Sequence, residues 1–427
     1  MFKCKTRITL SKLHSKKTAI AIFLLAVIGV MLSFPVLAQD NARKSWTQFR
    51  GNMRNGISTE SGLLEEWPES GLKPVWKKET GQGFSEVVVL NNVAYLMACD
   101  TLNGGYEYLT ASDVNSGKEL WKIKIDSLYI EIDGWGHGPR STPAVDNEKI
   151  YCLSGLGKLA AYSNKTGKEV WAVNLPEKFG SPLPRWGFSS SPILINGILI
   201  IETGGPESKA FTAFDKDTGK TLWSKGTGST TYNSPAIATI EGKTHIVFAN
   251  DTMLYSFDPE GNENWTYRMP MRSPIPMPVF IPPNRFFLSS VSRTGSFIIE
   301  VKNNEVSEVL KSKTMQNNFN SSCYHNGYLY GFSRAKLQCV SAETGERKWS
   351  HRGFGQGSLI IVNDKLLVLS DQGLLTVVEA KPDEFKALNA VQAMEGKSWT
   401  APSFANGKVF VRNLTHTSCY QLAKVFD

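Results

Sequence analysis

The sequence predicts an all-β fold, an eight-bladed β-propeller of four-stranded antiparallel blades, from two recurring phrases and from two incomplete blades that complement each other. The first phrase joins a third strand to a fourth. It reads Asp113, Gly117 and Trp121, then Gly167 and Trp171, then Asp215, Gly219 and Trp223, then Asp258, Gly261 and Trp265, then Gly345 and Trp349. Its spacing of about 40 to 50 residues is that of propeller blades. The Asp side chain accepts hydrogen bonds from the turn backbone and the Gly supplies a positive φ. The Trp four residues past the Gly then falls on the closing strand, where a large flat ring can fill the gap between two sheets.

The second phrase opens each blade: Thr142-Pro143, Ser191-Pro192, Ser234-Pro235, Ser273-Pro274 and Ala401-Pro402. Proline at the first residue of a strand costs no ladder hydrogen bond. The openings lie at 84–90, 141–145, 190–194, 233–238, 273–280, 321–325, 357–362 and 400–404, which gives eight blades. The Trp is missing from the closing segments at 308–311 and 385–388. Ser418-Cys419-Tyr420-Gln421-Leu422 reads as a third strand without a fourth, and Pro74-Val75-Trp76-Lys77 as a fourth without its first three. Joining them closes the ring and removes its exposed edge.

Ahead of the repeats, six Lys and Arg precede an apolar run from Ala19 to Phe34, followed by Val36-Leu37-Ala38. This is the pattern of an export signal cleaved after Ala38, and the competing reading is a retained anchor. The expected organisation is a signal peptide over 1–38, an extension packing on the propeller over 39–72, and the propeller over 73–427, in the periplasm or outside the cell. The formal charge of +8 falls to +2 without residues 1–38, which hold six Lys and Arg and no acid. A mature chain so nearly neutral lacks the basic field that nucleic-acid binding needs. With 41% hydrophobic and 20% charged residues it has ample core, and no later segment is apolar enough to cross a bilayer. Cys99, Cys152, Cys323, Cys339 and Cys419 form no CxxC pair and read as buried small hydrophobes, so no metal site is expected.

In a propeller, the loops entering the innermost strands surround the mouth of the axial channel. Here they carry His137, Arg140, Arg185, Trp186, Tyr232, Asn233, Arg272, Gln356 and Trp399, a cationic and aromatic set. Arg forks pair with carboxylate or phosphate, and aromatic faces stack on rings, so these nine are the candidate ligand-binding residues. The competing reading has them pair with loop acids and plug the channel. The entering loops supply no obvious carboxylate; the loops between second and third strands offer Asp100, Glu202, Asp251 and Asp371.

The Asp-x-x-Thr-Gly-Lys-x-x-Trp phrase, the Ser-Pro openings and the leading Trp46-Thr47-Gln48-Phe49-Arg50-Gly51 resemble the pyrroloquinoline-quinone-like repeat family. That group includes quinoprotein alcohol dehydrogenases and an outer-membrane-protein assembly lipoprotein. The resemblance covers residues 46–427 and implies two functions. One is a binding or scaffold propeller of the cell envelope, needing no cofactor and holding a protein, peptide or glycan. The alternative is a dehydrogenase of alcohols or sugars using pyrroloquinoline quinone (PQQ) with Ca²⁺. The adjacent-cysteine disulfide of the known dehydrogenases is absent, as is the lipid-acceptor Cys of the assembly lipoprotein. The entering loops show no carboxylate-plus-amide cluster converging on Trp186 or Trp399, as the dehydrogenase would need, so the binding or scaffold reading is placed first. A Ser-His-Asp hydrolase is placed third, since none of His137, His245, His325, His351 and His416 lies in a nucleophile-elbow motif.

Overall fold

The computed structural model describes Met1 and residues 44–423, excepting 65, 66, 69, 70, 103, 273 and 274. The expected signal peptide and the Ser273-Pro274 opening lie outside the described residues.

Alternating strands separated by tight turns build eight four-stranded antiparallel blades. Blade 1 is Val88–Leu90, Val93–Asp100, Tyr106–Asp113 and Glu119–Ser127, counted from the axis outward. Blades 2 to 6 follow in the same order over 144–174, 193–225, 236–268, 279–312 and 323–351. Blade 7 spans 358–392. Blade 8 takes its inner three strands from 403–421 and its outermost from Trp76–Glu79, with Trp76 opposite Cys419, so the two chain ends close the ring as predicted. A single-turn helix, Leu175–Phe179, follows blade 2. Among the described residues no helix is long and apolar enough to cross a membrane. All five cysteines among them are free and buried.

The repeated Trp and Gly meet across blade junctions. Trp171 of blade 2 lies against the turn of blade 3 so closely that a Cβ on Gly219, at φ +69°, would stand 2.7 Å from its ring. The indole Nε1 donates to the Lys216 carbonyl of that turn at 2.9 Å. Trp76 does the same on Gly117 and the Val114 carbonyl, and Trp223 on Gly261 and the Pro259 carbonyl. In blade 5 Leu310 takes the Trp position, and a small apolar gap lined by Leu310 and Gly345 remains between blades 5 and 6.

The segment preceding the ring runs inside it. Trp46 exchanges backbone hydrogen bonds with Val89 of blade 1, and the Thr47 carbonyl accepts from Val145 of blade 2. Ile57–Ser58 adds a parallel strand to the innermost strand of blade 7, Ile57 opposite Ile361. Arg54, 1% exposed, donates to the carbonyls of Ser191, Pro192 and Pro235 at 2.9 to 3.2 Å, joining blades 3 and 4. Arg50 reaches the Ser322 carbonyl ahead of blade 6, and Glu60 accepts from Asn406 and Gly407 of blade 8. A guanidinium carries five donors, which is what a ring of inward carbonyls requires. Burial pulls the pKa of Arg54 down to about 9, still protonated at neutral pH. Gly56 has room for no side chain, since a Cβ would lie 2.4 Å from Arg50 Nη2. This plug, Trp46–Glu60, is the base on which the site stands.

Candidate functional site

Above the plug the entering loops enclose a cavity of about 380 Å³. Its walls are rings: Phe84, Trp135, Trp186, Tyr232, Phe319 and Trp399 from the loops, with Phe49 from the plug. Trp399 is the hub. Its ring centroid lies 5.0 Å from Phe319, 5.6 Å from Trp135 and 6.2 Å from Phe84, the last pair stacked. Lys397 spans the rim, its Nζ 4.6 Å above Trp399 and donating to the Trp135 carbonyl at 2.9 Å. Trp186 and Tyr232 form a second ring pair 4.8 Å apart.

The polar atoms of the cavity are few. Arg140 lies over the Phe84 and Tyr129 rings at 5.2 and 5.4 Å and donates to the carbonyls of Gly136 and Gly138. Its hydrogen-bond partners among the described residues are carbonyls, and Glu131 and Glu107 act on its charge without an ion-pair contact. Asn318 donates to the Gln356 side chain, and the Gln356 backbone N–H to Asp371.

Glu86 also lines the cavity and is 1% exposed. Its Oε2 accepts from the Arg50 backbone N–H at 2.8 Å and from Trp46 Nε1 at 3.3 Å, so the carboxyl pins both ends of the first plug turn. Its Oε1 has no hydrogen-bond partner among the described residues. Burial raises its pKa to about 7 against the opposing pull of Arg50 and Arg54.

Of the nine candidate residues, Arg140, Trp186, Tyr232, Gln356 and Trp399 line this one cavity. The other four do not. Arg185 forms a two-point ion pair with Asp133 at 2.7 and 2.9 Å, and Trp186 Nε1 donates to the same carboxylate, which the Arg185 contact holds down at about 2. His137 accepts from the Glu131 backbone within its own loop. Asn233 is buried and donates to the Ala249 carbonyl, while Arg272 is exposed outside the cavity wall.

The entering loops do carry carboxylates, contrary to the sequence reading. They include Glu86, Glu131, Asp133 and Glu395, and Glu86 follows Phe84-Ser85 inside an apolar strand opening. A lone acid at the head of such an opening was the available signal. The four acids expected to face the mouth are used elsewhere. Glu202 is buried on Thr231 and Asn250, Asp371 holds the Gln356 backbone, Asp100 caps its own turn, and Asp251 is exposed on a turn.

Whether a quinone with calcium suits this cavity turns on its donor set. Calcium takes about six to eight oxygen ligands with several carboxylates among them. Among the described residues Glu86 is the one acid in the cavity wall, and no three His, Cys, Asp or Glu come together as a metal group. The rings suit a flat ligand. The donors do not suit the calcium that accompanies the quinone.

Comparison with known proteins gives two groups of relatives. The family model described as outer membrane protein assembly factor BamB matches residues 105–351, more than half of the chain. Among curated proteins, the quinohemoprotein alcohol dehydrogenase ADH IIB of Pseudomonas putida is 29% identical over 156 residues, 33% of this chain and 21% of that protein. The dehydrogenase subunit of the quinone alcohol dehydrogenase of Komagataeibacter europaeus is 37% identical over 137 residues, 30% of this chain and 18% of the relative. The matches thus span about a fifth of these relatives. Among solved structures, BamB from Moraxella catarrhalis aligns with a TM-score of 0.60 at 14% identity, covering 83% of this chain and 99% of that one. Quinohemoprotein alcohol dehydrogenase from Comamonas testosteroni aligns at 0.63 and 12% identity, covering 92% and 83%. At such identities the structural likeness is one of fold.

Proposed function

The chain belongs to the PQQ-like β-propeller repeat family, and on that premise we propose that it is an exported binding or scaffold propeller of the cell envelope whose mouth cavity is its ligand site. One observation carries the reading: the channel is plugged from within, and what remains is a cavity of about 380 Å³, ring-walled, with Arg140 and Arg50 in its lining. Sites of this size and apolar lining, with a few convergent polar groups, hold small ligands or the tip of a larger partner. A flat, electron-rich or anionic group fits it best. The rings offer stacking faces, and the Arg140 guanidinium, bonded among the described residues to carbonyls and not to a carboxylate, offers charge and its remaining donors.

The relationship to quinone-dependent alcohol dehydrogenases supports a second reading, that of a PQQ enzyme. It is placed second because the cavity wall lacks the carboxylate set for calcium. Titration of the purified protein with PQQ, with and without calcium, separates the two, because Trp135, Trp186 and Trp399 all report on the cavity. The expected result is saturable, calcium-independent quenching of tryptophan fluorescence and no alcohol-dependent dye reduction. Dye reduction on adding alcohol would establish the dehydrogenase instead. An unchanged fluorescence would remove the cavity as a site for planar ligands.

A further inference from the structure

We propose that the groove between blades 5 and 6, on the face of the ring opposite the mouth, is a binding site of its own and takes a neutral oligosaccharide strand. The inference is independent of the mouth cavity and of what that cavity holds. The groove has a volume of about 620 Å³ and is walled by the turns that join first to second and third to fourth strands.

The groove exists because this junction departs from that of blades 2 and 3 at matching positions. Between blades 2 and 3 the same face is closed by charge. Lys149, the first residue of a second strand, pairs with Asp217 of the neighbouring turn at 2.7 Å, and Lys216 pairs with Asp146 at 2.9 Å. Arg285 and Glu343 hold the positions of Lys149 and Asp217 between blades 5 and 6. Here Glu300 stands opposite Arg285 in the ladder, where Ser163 stands opposite Lys149, and it holds the guanidinium within its own blade at 2.9 Å. Ala342 takes the place of Lys216, and Leu310 that of the closing Trp. Among the described residues no hydrogen bond or ion pair crosses this junction on that face, and the Glu343 carboxylate has no partner.

The walls match a chain of hydroxyls. Tyr324 and Tyr328 line the groove, their rings seated against the hydrophobic cores on the two sides of blade 6, which fixes both before a ligand arrives. A tyrosine face receives the C–H side of a sugar ring, and its hydroxyl both donates and accepts. Asn284 spends its amide N–H on the Val301 carbonyl and keeps its oxygen, and Glu343 keeps both of its own, so acceptors face the sugar hydroxyls. Charge disfavours an anion: Arg285 and Lys302 are both held by Glu300, at 2.9 and 2.5 Å, and with Glu343 the lining carries two cations and two anions. Protein interfaces keep charge out of their centres and anchor on large apolar side chains. None of the large hydrophobics exposed among the described residues lies in this groove.

Saturation-transfer NMR of the full protein with cellotetraose, maltotetraose and chitotetraose tests this, with tetragalacturonate and a proline-rich peptide as the charged and protein-like probes. At least one neutral tetrasaccharide should bind saturably at millimolar concentration or below. Tyr324→Ala and Tyr328→Ala should each lose that binding. Glu343→Ala, at an exposed turn, should weaken it about tenfold, the loss of one hydrogen bond to a charged group. Glu300→Ser installs the residue of the closed junction, frees Arg285 to reach Glu343 across the groove, and should abolish binding with the fold retained. Absence of binding by all three neutral sugars would overturn the proposal. Binding that survives every one of these substitutions would put the sugar elsewhere and overturn the site. Tighter binding of tetragalacturonate or of the peptide, lost in the same variants, would make the groove an anion or protein site instead. Glu343→Ala and Glu300→Ser decide the matter even if the tyrosine variants fail to fold.

Discussion

The floor and the rim of the mouth cavity are made from the same residue types and do opposite work. On the floor, Trp46 and Arg54 are 1% exposed and spend their polar atoms on protein partners. On the rim, Trp135 is 46% exposed, Trp399 is half-buried, and Arg140 bonds to loop carbonyls and, among the described residues, to no carboxylate. The difference teaches that an arginine or tryptophan near a propeller axis is structural when it is sealed among strands, and available to a ligand when it still lines a cavity. Arg140 and Trp399 do so, although two Arg140 donors are held by loop carbonyls.

The comparison is broken most severely at the floor. Arg54→Ala strands three buried carbonyls and opens a void, and is expected to cost about 3–5 kcal/mol, read as a lowered midpoint in chemical denaturation. Gly56→Ala forces a Cβ onto the Arg50 guanidinium at a φ of +74° and is expected to cost more than about 1 kcal/mol by the same measurement. A midpoint unchanged by either would mean that the plug is not integral to the ring.

The buried acids set the pH response. Glu86 is raised to about 7, and Glu107 and Glu202 to about 8, each chiefly by burial. A carboxyl whose folded pKa lies above its unfolded value of about 4.3 contributes stability that is complete below that value and lost as pH rises through the folded one. The melting temperature should therefore drop between pH 5 and pH 8.5, with a shallower drop in Glu86→Gln. A melting temperature that climbs over that interval would contradict the burial of these three groups.

At the rim the order of effects reverses. Trp399→Ala, at a half-exposed site, should alter stability by no more than about 1 kcal/mol while abolishing the fluorescence response to planar ligands. Arg185→Ala removes an exposed ion pair and should leave the midpoint of chemical denaturation nearly unchanged. If Arg185→Ala weakened ligand binding as much as Trp399→Ala, the Asp133 clasp would have to be counted as part of the site.

Much of this was legible in the chain because the junction chemistry repeats. Trp76, Trp171 and Trp223 each demand a turn glycine on the following blade, and that pairing writes itself into the sequence at the blade period. Where Leu310 replaces Trp, the blade was still found from its opening and its alternation. The mouth was legible by residue type alone. Nothing in the sequence says that Asp133 consumes Arg185, or that Asn233 turns to the Ala249 carbonyl, because those partners are set by loop geometry. The plug was hidden for a stronger reason. Its contacts join residues such as Arg50 and Ser322, 272 positions apart, and no local period encodes them.

The plug also bears on how the molecule is made and unmade. Trp46–Glu60 contacts blades 1, 2, 3, 4, 6, 7 and 8 through hydrogen bonds, so its lodging place does not exist until nearly the whole circle has assembled. Contacts of such long sequence separation make folding slow. Once lodged, the segment acts as an axle through a wheel, and no blade adjoining it can detach without drawing on the others. Loss of structure should then be governed by a high barrier to opening, a persistence measured as a lifetime.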